Sequence, residues 1–188
     1  MKPVLSGAEG PEYGMIHGRF QPFHNGHLEY LRAARELCET LVVGITNPDP
    51  TTIREDATSE HRHRPDANPY TYFERLLMIR EVLRDEGVDP EQSIIIPFPV
   101  NAPDRWRYYL PPNAVHYLRV FSEWEQAKVD RLREHGYAVE VLHPGIEKEI
   151  EATEVRRRMA KGEDWQSLVP PTVARVIERL RESATARP

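Results

Sequence analysis

The stretch Gly18-Arg19-Phe20-Gln21-Pro22-Phe23-His24-Asn25-Gly26-His27 contains two histidines three residues apart, together with a basic side chain and two glycines. Side chains three apart in a helix lie on one side of it, so both imidazoles could face the same anion. Gly26 leaves room for a ligand or backbone to come close. From the residues alone, a metal-binding pair or two surface histidines are the alternatives.

The elements on either side of this stretch favour a phosphate site. A short apolar run, Tyr13 to Ile16, precedes it, and an amphipathic run from Leu28 to Leu37 follows it. This order predicts a strand, a turn and the first turn of a helix. A helix N-terminus offers unpaired N–H groups and the positive end of a dipole, which suit a phosphate. His24 and His27 are therefore candidate phosphate ligands.

A second candidate is the basic stretch from Ile150 to Met159. Thr153 can cap a helix over residues 153–161, and a hydroxyl, N–H groups and a guanidinium at a helix start can converge on phosphate. The consecutive residues Arg156, Arg157 and Arg158 fall on successive faces, so not all can point inward. The alternative is a solvated basic face paired with nearby glutamates: Glu151, Glu154 and Glu163.

Apolar and amphipathic runs alternate along the chain. They predict strands over residues 13–16, 41–45, 94–98, 114–121 and 138–142, and further helices over 70–83, 124–135 and 171–181. Pro69 fits the first turn of the 70–83 helix. Such alternation predicts an α/β fold with a mostly parallel five-stranded sheet and helices on both faces. Ligands bind such sheets beyond the carboxyl ends of the strands, where the strand order reverses.

Length and composition limit the possible classes of protein. The chain has 188 residues, 39% of them hydrophobic, which predicts one domain over residues 13–183 with tails at 1–12 and 184–188. A net charge of −5 argues against a nucleic-acid-coating protein. No apolar run approaches the ~18 residues of a membrane span. One cysteine, Cys38, and no charged-then-apolar leader predict a cytoplasmic protein.

The stretch from Gly18 to His27 resembles the first signature of the HxGH nucleotidyltransferase superfamily. Ile150, Ala152, Thr153 and Arg156 are similar to its second signature, Ile-Ser-Ser/Ala-Thr-x-x-Arg. Glu151 replaces the usual serine, and we expect it to point away from the phosphates. The resemblance implies a Rossmann-like sheet with the first motif after its first strand.

Most of residues 14–180 resembles archaeal-type nicotinamide-nucleotide adenylyltransferases. Further matching pieces lie at residues 68–71, 74–75, 101–106, 153–159 and 168–170. Two regions differ from these adenylyltransferases. Ser122-Glu123-Trp124-Glu125 replaces a Gly/Asn-containing turn, and the polar connection from Asn47 to Asn68 is enlarged. The chain is also similar to cytidylyltransferases that attach CMP to phosphonates such as phosphonoformate. The residues do not separate these two branches.

The resemblance implies transfer of a nucleotidyl group from ATP or CTP to a phosphate or phosphonate oxygen of a small anionic acceptor, with release of pyrophosphate. His24, His27 and Arg156 are the expected catalytic residues. Asn101 and Trp106 are acceptor-site candidates. The expected nucleotide-binding residues are Gly18, Arg19, Phe20, Gly26, Ser122, Trp124, Thr153 and Arg157.

Mg²⁺ is the expected cofactor, held largely by phosphate oxygens and water. Relatives often self-associate, so a homo-oligomer is a further expectation, whereas nucleic-acid and membrane partners are not expected. Two alternatives of other classes remain at this point. One is a nucleotide-binding regulator without turnover. The other is a metal-dependent hydrolase using His17, His24, His27 and the acidic connection from Asn47 to Asn68, which contains Asp56, His61 and His63.

Overall fold

A computed structural model describes residues 10–53, 64–142 and 151–185 of the chain. It contains five strands, β1 Tyr13–Gly18, β2 Thr40–Thr46, β3 Ser93–Phe98, β4 Val115–Leu118 and β5 Ala138–Val141. They form one sheet in the order β3-β2-β1-β4-β5, and every neighbouring pair is parallel. The predicted five-stranded α/β sheet is confirmed. The strand order reverses between β1 and β4.

Within these described ranges, five α-helices surround the sheet: α1 Asn25–Arg35, α2 Tyr72–Asp85, α3 Glu123–Glu134, α4 Ala152–Lys161 and α5 Pro171–Thr185. A 3-10 helix, Pro103–Tyr108, follows β3. No described helix is long and apolar enough to cross a membrane. Helix α5 continues to Thr185, past the predicted start of the C-terminal tail at residue 184.

The sheet separates two hydrophobic cores, because successive residues of a strand point to opposite faces. Ile16 belongs to the core formed with α1, α2, α4 and α5, which we call the first face. Met15 belongs to the core formed with α3 and the segment around Trp106, which we call the second face. Helices therefore cover both faces, as predicted.

Three predicted boundaries are wrong for local reasons. Helix α2 begins at Tyr72, because Thr71 caps it and accepts a hydrogen bond from the Glu74 N–H at 3.2 Å, so Pro69 precedes the cap. Helix α4 begins at Ala152 with Glu151 as its N-cap, so Thr153 lies inside the first turn. Strand β4 ends at Leu118, and residues 119–121 leave the sheet.

Candidate active site

His24 and His27 lie side by side where the chain passes from β1 into α1. His24 is the N-cap residue of α1, and its ring stacks on that of His27 with centroids 3.7 Å apart and planes 26° apart. The backbone N–H of His24 donates to Nδ1 of His27 at 3.3 Å. This bond assigns the proton of a neutral His27 ring to Nε2, which makes that atom a hydrogen-bond donor. The predicted pair is thus assembled at a helix N-terminus.

The turn before His24 is fixed by a buried amide. Gln21 is 2% exposed, and its side chain makes a reciprocal pair of bonds with the Tyr70 backbone. Nε2 of Gln21 donates to the Tyr70 carbonyl at 2.8 Å, and the Tyr70 N–H donates to Oε1 at 2.9 Å. The turn is therefore joined to the segment that leads into α2.

A buried guanidinium holds the ends of β1 and β2 together. Arg75 donates to the carbonyls of Arg19 at 2.9 Å, Thr46 at 2.7 Å and Asn47 at 2.8 Å. Burial lowers the pKa of Arg75 to about 10, so it stays charged at neutral pH. Backbone carbonyls carry no net charge, so they do not cancel the charge of Arg75. The guanidinium therefore fixes the backbone of the turn and also adds positive charge beneath it.

Of the three consecutive arginines, Arg156 is the one directed at the histidine turn. It is half-buried, and it donates to the Gln21 carbonyl at 2.6 Å and to Oγ1 of Thr153 at 3.2 Å. Burial lowers the pKa of Arg156, while the charges of Asp66 and Glu151 oppose that shift. Glu151 is exposed, and its charge raises the pKa of this guanidinium. That Glu151 points away from the phosphates stays a prediction.

Arg157 and Arg158 lie on the outer side of α4. Arg157 pairs with Glu154 at 2.7 Å and with Glu163 at 2.9 Å, and Arg158 pairs with Glu154 at 2.8 Å. The paired basic face is therefore the correct description of these two arginines. The structure does not bring Arg157, expected to bind nucleotide, to the histidine turn.

Two predicted ligand-contacting rings are enclosed instead. Phe20 is 1% exposed, with φ of 53°, and its ring packs edge-on against His27 at 4.9 Å between centroids. Trp106 is fully buried in the second-face core, and its indole N–H donates to the Pro99 carbonyl at 3.0 Å. Asn101, on the same loop, is exposed. Phe20 thus supports His27, and of the two acceptor candidates only Asn101 is accessible.

The remaining predicted residues lie along the carboxyl edge of the sheet. Gly18 ends β1, and the half-buried Arg19 follows with Nη1 3.5 Å from the Ala67 carbonyl. Ser122 is the N-cap residue of α3 and its hydroxyl donates to the Glu125 carboxylate. Trp124 is half-buried, with the Lys128 ammonium 4.9 Å from its ring centroid. Their contact with nucleotide stays a prediction.

Sequence reasoning missed Arg119. It directly follows β4, at the point where the strand order reverses, and it donates to the Gly26 carbonyl at 3.1 Å. Its Nη1 lies 3.8 Å from the Glu29 carboxylate, and its guanidinium lies over the Tyr30 ring. An arginine at the end of a buried strand could have suggested this role, but the predicted strand extended past it.

The histidines proposed for a hydrolase are not brought together. His17 points to the second face, with the neighbours Phe98 and His116, whereas His24 and His27 form the start of α1. Within residues 10–53, 64–142 and 151–185, no group of three or more His, Cys, Asp or Glu side chains could hold a metal ion. His61, His63 and Asp56 of the enlarged connection, and Ile150 of the second motif, lie outside the described residues.

A stacked histidine pair, a helix N-terminus and Arg156 therefore meet at one turn. The sequence model described as "Cytidylyltransferase-like" matches residues 15–158, which include all three. The chain belongs to the cytidylyltransferase-like family. The resemblance to nucleotidyltransferases is thus confirmed.

Curated members of known activity resemble the chain over most of its length. Phosphonoformate cytidylyltransferase of Streptomyces viridochromogenes is 47% identical over 165 residues, covering 88% of this chain and 90% of that protein. Nicotinamide-nucleotide adenylyltransferase of Thermococcus onnurineus is 32% identical over 173 residues, covering 91% and 84%. This cytidylyltransferase-like protein is accordingly a nucleotidyltransferase, and the regulator alternative has no support.

Solved structures agree on the fold. A bifunctional NMN adenylyltransferase/ADP ribose pyrophosphatase from Francisella tularensis superimposes with a TM-score of 0.64 at 18% identity, over 89% of this chain. The chain spans about half the length of that protein, with 49% of it covered. This likeness agrees with a Rossmann-like α/β fold for the five-stranded sheet.

Proposed function

We propose that the enzyme transfers CMP from CTP to a phosphonate oxygen of a small anionic acceptor of the phosphonoformate type. The observation that carries nucleotidyl transfer is the convergence of the His24–His27 pair and Arg156 on the turn at Gln21. Cytidine and phosphonate are favoured because identity to the phosphonoformate cytidylyltransferase is 47%, against 32% to the adenylyltransferase of Thermococcus.

The chemical step needs little proton transfer. A phosphonate oxygen is already ionised at neutral pH, and it attacks the α-phosphorus while the bond to the bridging oxygen of pyrophosphate breaks in line. The released pyrophosphate takes the electron pair of that bond. Catalysis is therefore positioning and stabilisation of developing negative charge.

The residues at the turn suit those two tasks. Nε2 of His27 is a donor, and with His24 it would contact the α- and β-phosphates at the N-terminus of α1. Arg156 would neutralise the β- and γ-phosphates and the leaving pyrophosphate, helped by Thr153. Arg119 would position the first turn of α1 through the Gly26 carbonyl.

Mg²⁺ belongs to this proposal as a companion of the triphosphate. The described residues form no cluster that could cage a metal ion, so phosphate oxygens and water would hold it. When bound, it would neutralise phosphate charge. The cytoplasmic location and the homo-oligomer stay predictions.

A second candidate is ATP-dependent adenylylation of a pyridine nucleotide. It is supported by archaeal nicotinamide-nucleotide adenylyltransferases that are 32% and 33% identical across 91% and 92% of the chain. The enclosed Trp106 favours the smaller acceptor, because its ring offers no exposed face on which a flat ligand could stack.

Pyrophosphate release distinguishes the candidates. Purified enzyme with Mg²⁺ would be given CTP or ATP, combined with phosphonoformate, methylphosphonate, nicotinamide mononucleotide or nicotinate mononucleotide. We expect turnover with CTP and phosphonoformate, and a steep loss of turnover in the folded variant His27→Ala. Turnover confined to ATP and a pyridine nucleotide would refute the proposal in favour of the second candidate.

A further inference from the structure

Two histidines are buried side by side on the second face of the sheet. His17 of β1 is 3% exposed and His116 of β4 is fully buried, and their ring centroids are 5.6 Å apart. In the part of the chain that the structure describes, no ring nitrogen of either residue has a hydrogen-bond partner. Burying imidazole nitrogens without partners is unfavourable, so the pair calls for an explanation beyond packing.

The neighbouring strand has a glycine beside His17. His17 lies opposite Gly44 of β2, where an added Cβ would come within 2.5 Å of Cε of Met15 and within 3.2 Å of the Cβ atoms of His17 and Phe98. The absent side chain lets the His17 ring reach Phe98, with centroids 4.9 Å apart. His17 is also one residue from the carboxyl end of β1, the edge at which the reaction takes place.

A buried ammonium makes the surroundings of the pair positive. Lys128 of α3 is 8% exposed. Burial lowers the pKa of both imidazoles, that of His116 to about 4, and the charge of Lys128 lowers both further. Both rings are therefore neutral at pH 7, and each has one N–H to donate beside a positive charge. A small anion is the ligand that such a group of donors can satisfy.

In-line transfer indicates which substrate would reach the second face. Arg156, the expected partner of the leaving pyrophosphate, is on α4, which packs on the first face. The attacking oxygen enters on the side of the α-phosphorus opposite the leaving group. The acceptor therefore lies toward the second face, where His17 approaches the carboxyl edge.

We propose that His17 and His116, with Lys128, bind the acceptor's second acidic group, which is a carboxylate in phosphonoformate. The proposal rests on the proposed function and adds the residues that would select a carboxyphosphonate over a simple phosphonate. His17, nearer the carboxyl edge, makes the direct contact, and His116 orients it from the next strand.

The test compares two acceptors that differ in this carboxylate. KM and kcat would be measured with CTP and either phosphonoformate or methylphosphonate, for the wild type, His17→Leu and His17→Gln. His135→Leu is the matched control, because His135 is exposed at the end of α3 and also contacts Trp106. Melting temperatures would show whether each variant folds.

In His17→Leu, loss of a hydrogen bond to a charged group should raise the KM for phosphonoformate about tenfold to a hundredfold. KM values for methylphosphonate and CTP should change less than about twofold, as in the control, because neither ligand carries the carboxylate. His17→Gln, which keeps an amide donor, should recover part of the preference, and it replaces His17→Leu if that variant fails to fold.

The outcomes separate the two proposals. Wild-type enzyme that does not turn over phosphonoformate would refute the proposed function and this inference with it. Turnover with an unchanged acceptor preference in the His17 variants would overturn the inference alone. An equal loss of kcat/KM for both acceptors would also overturn it, since that is the result of a structural role.

Discussion

Arg156 and Arg157 are adjacent arginines with opposite environments, so their alanine variants form a matched pair. Each substitution removes one positive charge from the same helix. Arg156 contacts the turn at Gln21, whereas Arg157 is paired with two glutamates on the outer side. Any effect of net charge or of helix propensity is therefore shared, and only the position of the guanidinium differs.

The expected magnitudes differ widely. Removing one donor that stabilises transition-state charge lowers the rate about 10²- to 10³-fold, or about 3–4 kcal/mol, and we expect that loss in kcat/KM for Arg156→Ala. The Gln21 carbonyl also loses a partner, which should lower the free energy of unfolding by about 1 kcal/mol. Arg157 and its glutamate partners are 37–44% exposed, so solvent screens their interaction. The loss of Arg157 should leave the free energy of unfolding close to that of the wild type and change kcat/KM by less than about twofold.

Pyrophosphate release at varied CTP, with urea denaturation of the same preparations, checks both quantities. The KM for CTP of Arg156→Ala should rise, because the guanidinium also binds the ground-state triphosphate. An Arg156→Ala enzyme with wild-type kcat/KM would refute the assignment. A loss in Arg157→Ala as large as in Arg156→Ala would show that the charge of α4, and not the contact at Gln21, supports catalysis.

Three further predictions concern the turn and the buried rings. His27→Ala should lower kcat about a hundredfold while the melting temperature stays close to that of the wild type, as measured by pyrophosphate release and thermal unfolding. Arg75→Met should lower the free energy of unfolding by about 3 kcal/mol in urea, since four backbone carbonyls lose a donor, whereas the exposed Arg80→Met should cost less than ~0.5 kcal/mol. His116 has a pKa of about 4 in the folded protein and 6.5 as an unperturbed side chain. As the pH falls, the unfolded state therefore binds a proton on this ring at a higher pH than the folded state does. Urea titrations should show stability falling by about 3 kcal/mol from this group as the pH drops from 6.5 to 4, and His116→Phe should flatten that fall.

The sheet and its covering helices could be predicted because the local pattern and the fold agree. The β-branched run of β2 and the apolar spacing of α5 are satisfied by burial in any arrangement of parallel strands and helices. Boundaries were less accurate, since they depend on single capping contacts. Thr71 and Glu74 form a reciprocal cap that moves the start of α2 beyond Pro69.

The site was only partly predictable, because the direction of a side chain depends on partners distant in sequence. Sequence alone could not decide which arginine of α4 faces inward, since the answer depends on the Gln21 carbonyl, 135 residues away. Trp106 appeared available for a ligand, but Phe98, His135 and Tyr137 surround it. Arg119 was missed because the predicted fourth strand ran to residue 121, whereas β4 ends at Leu118.

Three guanidinium groups bind backbone carbonyls of the histidine turn. Arg75 binds the carbonyl of Arg19, Arg156 binds that of Gln21, and Arg119 binds that of Gly26. These contacts place three guanidinium groups around the turn that carries His24 and His27. Positive charge from α2, α4 and the end of β4 is thus concentrated at one turn, where under the proposed function it would meet the triphosphate despite the net charge of −5.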